Sequence, residues 1–327
     1  MAVTAVSWEL YEMFEAFLKE KDELIAEWTP EPLVPDTPPD HHALHPRVIT
    51  SKVGKTMVVD GRSCLNLASH NYLSLAEESQ AQEASLAGLR KYGVGSCGPR
   101  GFFGTVDIHL ELESRLAEFM DVEEACLYSY GFSTMSSAIP SYAKQGDIIF
   151  VWSKEIDLMC ATLENAIGSF GGFCCGTSFV VDHQRLSGLG YCFSASLPPL
   201  QASVSMWAID HLTNHPEILV TLRRNCLLMH EKLKGVPQLR LGGDDVSAIK
   251  HLYVAGERPR DVCDRLLDQL VQKAWEEGVV LTRSRYLEPP EHLTREPSIR
   301  IAVCAALTEQ DIDHACSVIG RAAQAIL

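Results

Sequence analysis

Two apolar segments in the middle of the chain, residues 147–152 and 154–163, follow one another almost without a gap. This spacing constrains the fold more than any other feature, because each segment has the composition of a buried strand. The chain before them alternates helical and strand-like patterns, which is typical of a layered α/β domain. Since neighbouring parallel strands need a crossover of a dozen or more residues, the sequence predicts that a crossover unit is absent here.

Hydrophobic periodicity and the start and stop signals of helices predict the other elements and a division into three parts. Residues 1–47 form an amphipathic helix and a proline-rich arm, residues 48–215 a large α/β domain, and residues 216–327 a smaller α+β domain. Thr308 followed by Asp311 indicates the start of the last helix. The predicted strands are residues 56–59, 64–68, 125–128, 248–254, 279–282 and 298–303, and the predicted helices are residues 81–92, 107–120, 132–143, 199–234 with a kink at Pro216, 261–277 and 309–326.

The composition describes a folded protein and argues against several partners and compartments. With a formal net charge of −15, the chain lacks the clustered Lys and Arg residues that nucleic acid binding requires. Its 11 cysteines are scattered without a Cys-x-x-Cys pair, which indicates reduced thiols in a cytosolic-facing protein. We expect neither a secretory signal nor a transmembrane helix, since no stretch reaches the ~20 apolar residues that a span needs.

A glycine-rich segment, GVGSCG at residues 93–98, matches the dinucleotide-binding fingerprint letter for letter but lies in the wrong context. The fingerprint follows a strand and opens a helix, whereas here a predicted helix precedes the segment and Pro99 follows it. The glycines permit a close backbone approach to a phosphate, to a partner chain or within a tight turn. Arg100 with Ser96 or Thr105 would suit an anion, and a structural turn fits the same spacing.

Other polar residues give weaker signals. The segment YSYGFST at residues 128–134 lies between a predicted strand and a predicted helix, where it resembles a phosphate-binding turn. His109 is expected to be a buried or interface histidine rather than a base. Two histidine pairs have ligand spacing but no acidic or cysteine partners nearby, so no metal is predicted at His41 with His42 or at His211 with His215.

Eight short segments match the motifs of one enzyme family. They are NYLSL at residues 71–75, KYGVGSCGPRGFFGT at 91–105, YSYGF at 128–132, GGFCCG at 171–176, DHQRLSG at 182–188, YCFSASLPP at 191–199, RYL at 285–287 and PSIR at 297–300. Together they resemble the α-oxoamine synthase family of pyridoxal phosphate enzymes and, within it, the first long-chain-base subunits of serine palmitoyltransferase. The resemblance runs from about residue 20 to the end of the chain, and residues 191–199 are its most specific part.

The resemblance implies a pyridoxal-phosphate-transferase-like fold, with a truncated large domain of the aspartate aminotransferase type I and a smaller C-terminal α+β domain. Enzymes of this kind hold the cofactor as a Schiff base to a lysine. In the segment TLENAIGSFGGF at residues 162–173, Asn165 stands where that lysine would be, and no lysine occurs between Lys154 and Lys232. Because an amide nitrogen is not a usable nucleophile, we expect no catalytic and no cofactor-binding residue in this chain.

By the same resemblance, the chain is a non-catalytic subunit that forms a heterodimer with a lysine-bearing homologue, which binds the pyridoxal phosphate. The pair would condense L-serine with palmitoyl-CoA to 3-ketosphinganine in sphingolipid biosynthesis, at the cytosolic face of the endoplasmic reticulum. The loop at residues 92–105 would lie at the subunit interface and help to shape the partner's active site. The residues expected there are Tyr92, Gly93, Gly95, Ser96, Cys97, Gly98, Arg100 and Thr105.

Two departures from the family pattern affect this interpretation. The family's subunit begins with a membrane-spanning helix that is not found here, so membrane association would come through partners. Between Phe150 and Ile156 the family carries a further block, with central strands, a histidine that stacks on the cofactor ring and acidic residues that orient the cofactor. Loss of core strands exposes sheet edges and apolar surface, which predicts low stability in isolation.

Several functions therefore stay open beside the non-catalytic subunit. A single-chain active synthase is opposed by Asn165. A regulatory or decoy chain, which binds the catalytic subunit without supporting turnover, is favoured by the missing block. A misfolded product without function is the remaining alternative, since the missing block belongs to the core.

Overall fold

The computed structural model describes residues 2–28, 39, 41–148, 156–285 and 295–327 of the chain. The helices are α1 (Ala2–Glu27), α2 (Ser79–Tyr92), α3 (Asp107–Met120), α4 (Gly131–Tyr142), α5 (Ser178–Ser187), α6 (Leu189–Phe193), α7 (Pro199–Asn214), α8 (Glu217–Lys234), α9 (Arg260–Glu276) and α10 (Glu309–Ile326). The strands are β1 (Thr56–Val59), β2 (Arg62–Asn66), β3 (Glu124–Tyr128), β4 (Leu158–Thr162), β5 (Gly172–Gly176), β6 (Leu239–Gly242), β7 (Ile249–Val254), β8 (Val279–Val280), β9 (Thr282–Ser284) and β10 (Ser298–Ala302).

The chain divides into two units, Met1–Arg47 and Val48–Leu327. The first unit contains α1, on which the large apolar side chains of Phe14 and Phe17 are exposed. Trp28, the residue after the helix, is exposed as well. Across the residues that the structure describes, no helix combines the length and the apolar character needed to cross a membrane. The second unit contains all of the other named helices and strands.

The sheet nearest the candidate site has three strands in the order β3-β5-β4, and β5 runs antiparallel to both neighbours. All five residues of β5 are buried, because helices cover both faces of the sheet. On one face, Leu112 and Leu116 of α3 pack with Ile209 of α7. On the other, Ala138 of α4 packs with Val181 of α5. Within the described residues, β3 and β4 are the two edges of this sheet.

The C-terminal residues build a second core from the antiparallel sheet β6-β7-β10-β9 and from α8, α9 and α10. The hairpin of β1 and β2 joins this core, because β2 pairs in parallel with β8 and places Leu65 opposite Val279. The predicted start of α10 is confirmed by a capping box. Asp311 donates its N–H to the Thr308 hydroxyl at 3.2 Å, and Thr308 donates its N–H to the Asp311 carboxylate at 2.8 Å.

One predicted helix is interrupted for a local reason. The helix predicted over residues 199–234 is broken rather than kinked at Pro216, since proline lacks an N–H and its ring clashes with the preceding turn. The strand predicted at residues 147–152 lies largely outside the described residues. The predicted boundary between residues 215 and 216 stays a prediction.

Candidate functional site

The loop at residues 92–105 is held to the domain by a buried ion pair. Arg100 donates two hydrogen bonds to the carboxylate of Glu113, at 2.6 and 2.8 Å, and the two side chains are 4% and 7% exposed. Arg100 also donates to the Thr105 hydroxyl at 3.0 Å, and Glu113 accepts the N–H of Leu127 at 2.9 Å. Arg100 is therefore held by Glu113 and Thr105 within the chain, which favours a structural role over an anion site formed with Ser96 or Thr105.

The glycines of the loop permit a tight turn, one of the three alternatives that the sequence left open. A Cβ added at Gly104 would lie 1.9 Å from the carbonyl oxygen of Gly98, so the two backbones touch at this point. Ser196 closes the turn: its N–H donates to the Gly98 oxygen at 3.0 Å, and its Oγ lies 2.5 Å from both Ser96 Oγ and the Gly104 oxygen. The close backbone approach is thus satisfied inside the loop.

Other residues of the loop face solvent, and the two exposed phenylalanines, Phe102 and Phe103, are called the rim below. Gly93, Gly95 and Cys97 are exposed, and Tyr92 is half-buried. Phe102 is 64% exposed and Phe103 is fully exposed. Two adjacent exposed phenylalanines on a turn that is firmly anchored underneath form an apolar surface suited to contact with another chain. Both aromatic residues lie in the motif at residues 91–105 but are not among the site residues expected from sequence, although an aromatic pair inside a glycine-rich loop is a signal that could have indicated them.

His109 lies behind the loop and is fully buried, as expected for a core histidine. Its Nδ1 accepts the N–H of Val106 at 3.2 Å, and its Nε2 donates to the carbonyl oxygen of Leu197 at 2.6 Å. Both ring nitrogens are therefore satisfied by one neutral tautomer. Burial lowers the pKa of His109 below its ordinary value of 6.5.

Replacement of this histidine should change the pH dependence of stability. The pKa of His109 is lower in the folded chain than the unfolded value of 6.5. Between these two pKa values, acidification therefore protonates the histidine in the unfolded state and not in the folded state. The stabilisation by His109 is complete above about pH 6.5 and falls below it, by at most ~1.4 kcal/mol per pH unit. Urea unfolding of the wild-type chain and of His109→Gln from pH 8 to pH 5 should show a stability difference that shrinks on acidification. A pH-independent difference would contradict this account.

Asn165 lies in the turn that follows β4. Its backbone oxygen accepts the N–H of Tyr72 at 3.4 Å. The turn packs closely on the preceding part of the domain, since a Cβ at Gly168 would lie 3.0 Å from the Ala76 nitrogen. The Asn165 side chain lines a cavity of about 630 Å³ between α4 and β4, together with Met135 and Thr162.

The same cavity contains the N-terminus of α4, where Gly131 is the first helical residue. Free N–H groups at a helix N-terminus are ready-made donors for a phosphate. Here the Glu164 carboxylate accepts the Gly131 N–H at 2.9 Å, so an anion of the chain itself already lies at this position. A phosphate would meet like charge there, and the amide at Asn165 offers no amine. The residues present do not fit pyridoxal phosphate.

A polar cluster beside Asn165 was not anticipated from the sequence. His70 Nδ1 and the Tyr72 hydroxyl form a hydrogen bond. Arg300 donates to the carbonyl oxygen of Ala68 at 2.8 Å, and burial, followed by the charge of Arg300, lowers the pKa of His70. The cluster joins β10 of the C-terminal sheet to the segment that contacts the Asn165 turn, a proximity that only the tertiary fold creates.

The histidine pairs do not assemble a metal site. The rings of His41 and His42 lie 4.3 Å apart, and those of His211 and His215 lie 4.6 Å apart. No group of three or more His, Cys, Asp or Glu residues is arranged to hold a metal ion in the part of the chain that the structure describes.

The sequence pattern of the family described as aminotransferase class I and II matches residues 62–153 and 152–319 of the chain. The two matched segments meet at residues 152 and 153. This junction falls in the stretch between Phe150 and Ile156 where the strand spacing and the family resemblance predict a missing block.

Two curated relatives are similar over nearly the whole chain. Long chain base biosynthesis protein 1b of Oryza sativa subsp. japonica is 30% identical over 414 residues, which cover 94% of this chain and 86% of the relative. Serine palmitoyltransferase 1 of Dictyostelium discoideum is 30% identical over 421 residues, which cover 94% and 88%. Both alignments exceed the 327 residues of the chain, so the relatives contain residues within the aligned region that this chain lacks.

Solved structures share the fold. A structure of SPT with a PLP internal aldimine has a TM-score of 0.75 at 18% identity, and the superposition covers 97% of this chain and 99% of the other. This likeness, with the family match, confirms the predicted fold class.

Proposed function

We propose that this chain, which belongs to the aminotransferase class I and II family, is a non-catalytic subunit of serine palmitoyltransferase. Its similarity to long chain base biosynthesis protein 1b and serine palmitoyltransferase 1 supports the proposal. It would support the condensation of L-serine with palmitoyl-CoA to 3-ketosphinganine by a lysine-bearing partner subunit. In this proposal pyridoxal phosphate is bound by the partner, and the complex lies at the cytosolic face of the endoplasmic reticulum.

One observation carries the non-catalytic part of the proposal: the Glu164 carboxylate lies on the N-terminus of α4 beside Asn165. Together the two residues replace a phosphate site and a Schiff-base amine with a negative charge and an amide. Substitution of Asn165 by lysine alone would therefore leave the phosphate position blocked. The chemistry has to be supplied by another chain, since these residues of this one offer neither group.

The loop at residues 92–105 supports the partnership. Its buried anchors, Arg100 and Gly104, fix the backbone, while Phe102 and Phe103 are directed to solvent. A rigid apolar rim loses little conformational entropy on association, which favours binding. We propose that this rim contacts the catalytic subunit near its active site.

The proposal is tested by co-expression with a lysine-bearing long-chain-base subunit, followed by purification through a tag on this chain. Ketosphinganine formation by the co-purified complex, above that of the partner alone, is the expected result. Borohydride reduction and peptide mapping should then find the pyridoxyl group on the partner's lysine. A pyridoxyl peptide from this chain would overturn the non-catalytic assignment.

The same experiment separates the decoy function. Two unpaired edges of the sheet, β3 and β4 within the described residues, and the divided family match favour a chain that binds without completing the complex. Co-purification without turnover, and loss of the partner's activity on co-expression, would assign the decoy role. Failure to co-purify would contradict both functions.

Phe103→Ser should weaken the complex without unfolding the chain. A fully exposed phenylalanine contributes little to the stability of the isolated chain, whereas an aromatic anchor at an interface is commonly worth more than 2 kcal/mol, about 30-fold in affinity. Affinity can be measured by titration of labelled partner, and stability by urea unfolding. Phe179→Ser is the matched control, since Phe179 is 84% exposed but lies on α5 outside the loop. Equal losses for both variants would contradict a specific role of the rim.

A further inference from the structure

Three cysteines form a row across the sheet β3-β5-β4. Cys174 on β5 lies directly opposite Cys126 on β3 and directly opposite Cys160 on β4. The Sγ atoms of Cys160 and Cys174 are 3.2 Å apart. The three side chains lie on the face of the sheet that packs against Ala138 of α4, whereas the neighbouring Cys175 packs in the cluster on the opposite face.

We propose that Cys160 and Cys174 are a modification site at which hydroperoxides form a reversible intrachain disulfide. Directly opposed residues of an antiparallel pair have Cβ atoms about 4.5–5.5 Å apart, while a disulfide needs about 3.5–4.5 Å. The contact between the two sulfur atoms shows that both side chains already point at one another. Formation of the bond therefore requires a small approach of the edge strand and no change of register.

Access to oxidant distinguishes the members of the row. Cys160 is half-buried and lines a cavity of about 510 Å³ that is also formed by Met135, Ile139 and Tyr142. Cys126 and Cys174 are fully buried. A small hydroperoxide entering this cavity would therefore meet Cys160 first, and Cys174 is the adjacent thiol that can resolve the product.

The electrostatics assign the same roles. The hydrogen bond with the Cys174 thiol lowers the pKa of Cys160, which favours its thiolate. Hydrogen bonds with Cys126 and Cys160, together with burial, raise the pKa of Cys174, which keeps it protonated. The more accessible member of the pair, the half-buried Cys160, is thus the nucleophile, as required for attack on a peroxide.

The reaction balances with hydrogen peroxide as the oxidant. The Cys160 thiolate attacks one peroxide oxygen, the O–O bond breaks, and the products are a sulfenic acid on Cys160 and hydroxide, which takes up a proton to give water. The Cys174 proton then passes to the hydroxyl oxygen of the sulfenic acid as the Cys174 sulfur attacks the Cys160 sulfur; the S–S bond forms, the S–O bond breaks, and the oxygen leaves as a second water. The two thiols lose two electrons and two protons in total, and a dithiol reductant reverses the change.

The disulfide would link the edge strand β4 covalently to β5. Within the described residues β4 pairs only with β5, and the residues to be joined are 14 positions apart. A short covalent loop restricts the unfolded chain, and it would hold β4 against separation from β5. We therefore expect the oxidised chain to unfold at a higher temperature than the reduced chain.

The full-length chain, fully reduced and then exposed to dilute hydrogen peroxide, tests the proposal by intact mass and peptide mapping after alkylation in denaturant. The expected product has lost two hydrogens and contains one crosslink, between the peptides of Cys160 and Cys174. Cys160→Ser should abolish the crosslink, and it should not prevent folding because residue 160 is half-buried at an edge. A dithiol should restore both free thiols.

The control variant is Cys192→Ser. Cys192 has the same intermediate burial as Cys160, but its Sγ lies 3.3 Å from a carbonyl oxygen, that of Arg185. The Cys192→Ser variant should still form the crosslink between Cys160 and Cys174, and its unfolding temperature should still rise on oxidation. Full alkylation of both Cys160 and Cys174 after peroxide would overturn the proposal. So would a crosslink between Cys126 and Cys174, because oxidation would then not proceed through the half-buried thiol of Cys160.

Discussion

Glu113→Ala should lower the free energy of unfolding by about 3–5 kcal/mol, since it leaves the Arg100 guanidinium buried without its counter-charge. Both side chains are buried, and the ion pair is bidentate. The variant also removes the acceptor of the buried Leu127 N–H, which adds the cost of an unsatisfied donor. The effect is therefore much larger than that of a surface ion pair.

Urea unfolding, monitored by tryptophan fluorescence and by circular dichroism, measures this loss. The matched control is Asp210→Asn, which removes the negative charge from the ion pair of Arg115 and Asp210, whose atoms are 2.8 Å apart and whose side chains are 25% and 50% exposed. That change should cost less than about 1 kcal/mol. The double variant Arg100→Met with Glu113→Leu should recover a large part of the loss, because no unpaired charge remains. Similar losses for Glu113→Ala and Asp210→Asn would contradict the burial argument.

The helices of this fold could be predicted from sequence where one face carries a regular apolar stripe. The helix predicted over residues 107–120 has the observed bounds, because Ile108, Leu112, Leu116 and Phe119 repeat at helical spacing. The strand β5 could not be predicted in the same way. Its sequence, GFCCG, is short and has little strand propensity, and it is a strand because β3 and β4 supply hydrogen bonds on both sides.

In the candidate site, too, contacts between residues that are distant in the sequence could not be predicted. The amide at Asn165 could be interpreted from sequence, because it depends on one position and one chemical group. The occupation of the α4 N-terminus by Glu164 could not, since the two partners of that hydrogen bond are separated by 33 positions. For Arg100 the sequence left an anion site and a structural turn open, and it could not indicate the ion pair with Glu113, which the fold brings to Arg100 from the next helix.

Gly104→Ala is expected to cost at least about 3 kcal/mol, at or above the upper end of ordinary overpacking. The added Cβ would lie 1.9 Å from the Gly98 oxygen and 2.5 Å from the Pro99 oxygen. Both are backbone atoms, so no side-chain rotation relieves the clash and the turn has to open. Opening the turn breaks the hydrogen bond from the Gly104 N–H to the Pro99 oxygen, at 2.9 Å, and the contact with Ser196.

Gly101→Ala is the control within the same loop, because a Cβ at Gly101 meets no atom within 4 Å. It should change the free energy of unfolding by less than about 1 kcal/mol. Gly98→Ala should resemble Gly104→Ala, since its Cβ would lie 2.6 Å from the Phe102 oxygen. The double variant Gly98→Ala with Gly104→Ala should then lose less stability than the sum of the single losses, because one opening of the turn relieves both clashes. Full additivity would mean that the two glycines serve separate contacts, and the single closed turn inferred for residues 98–104 would be wrong.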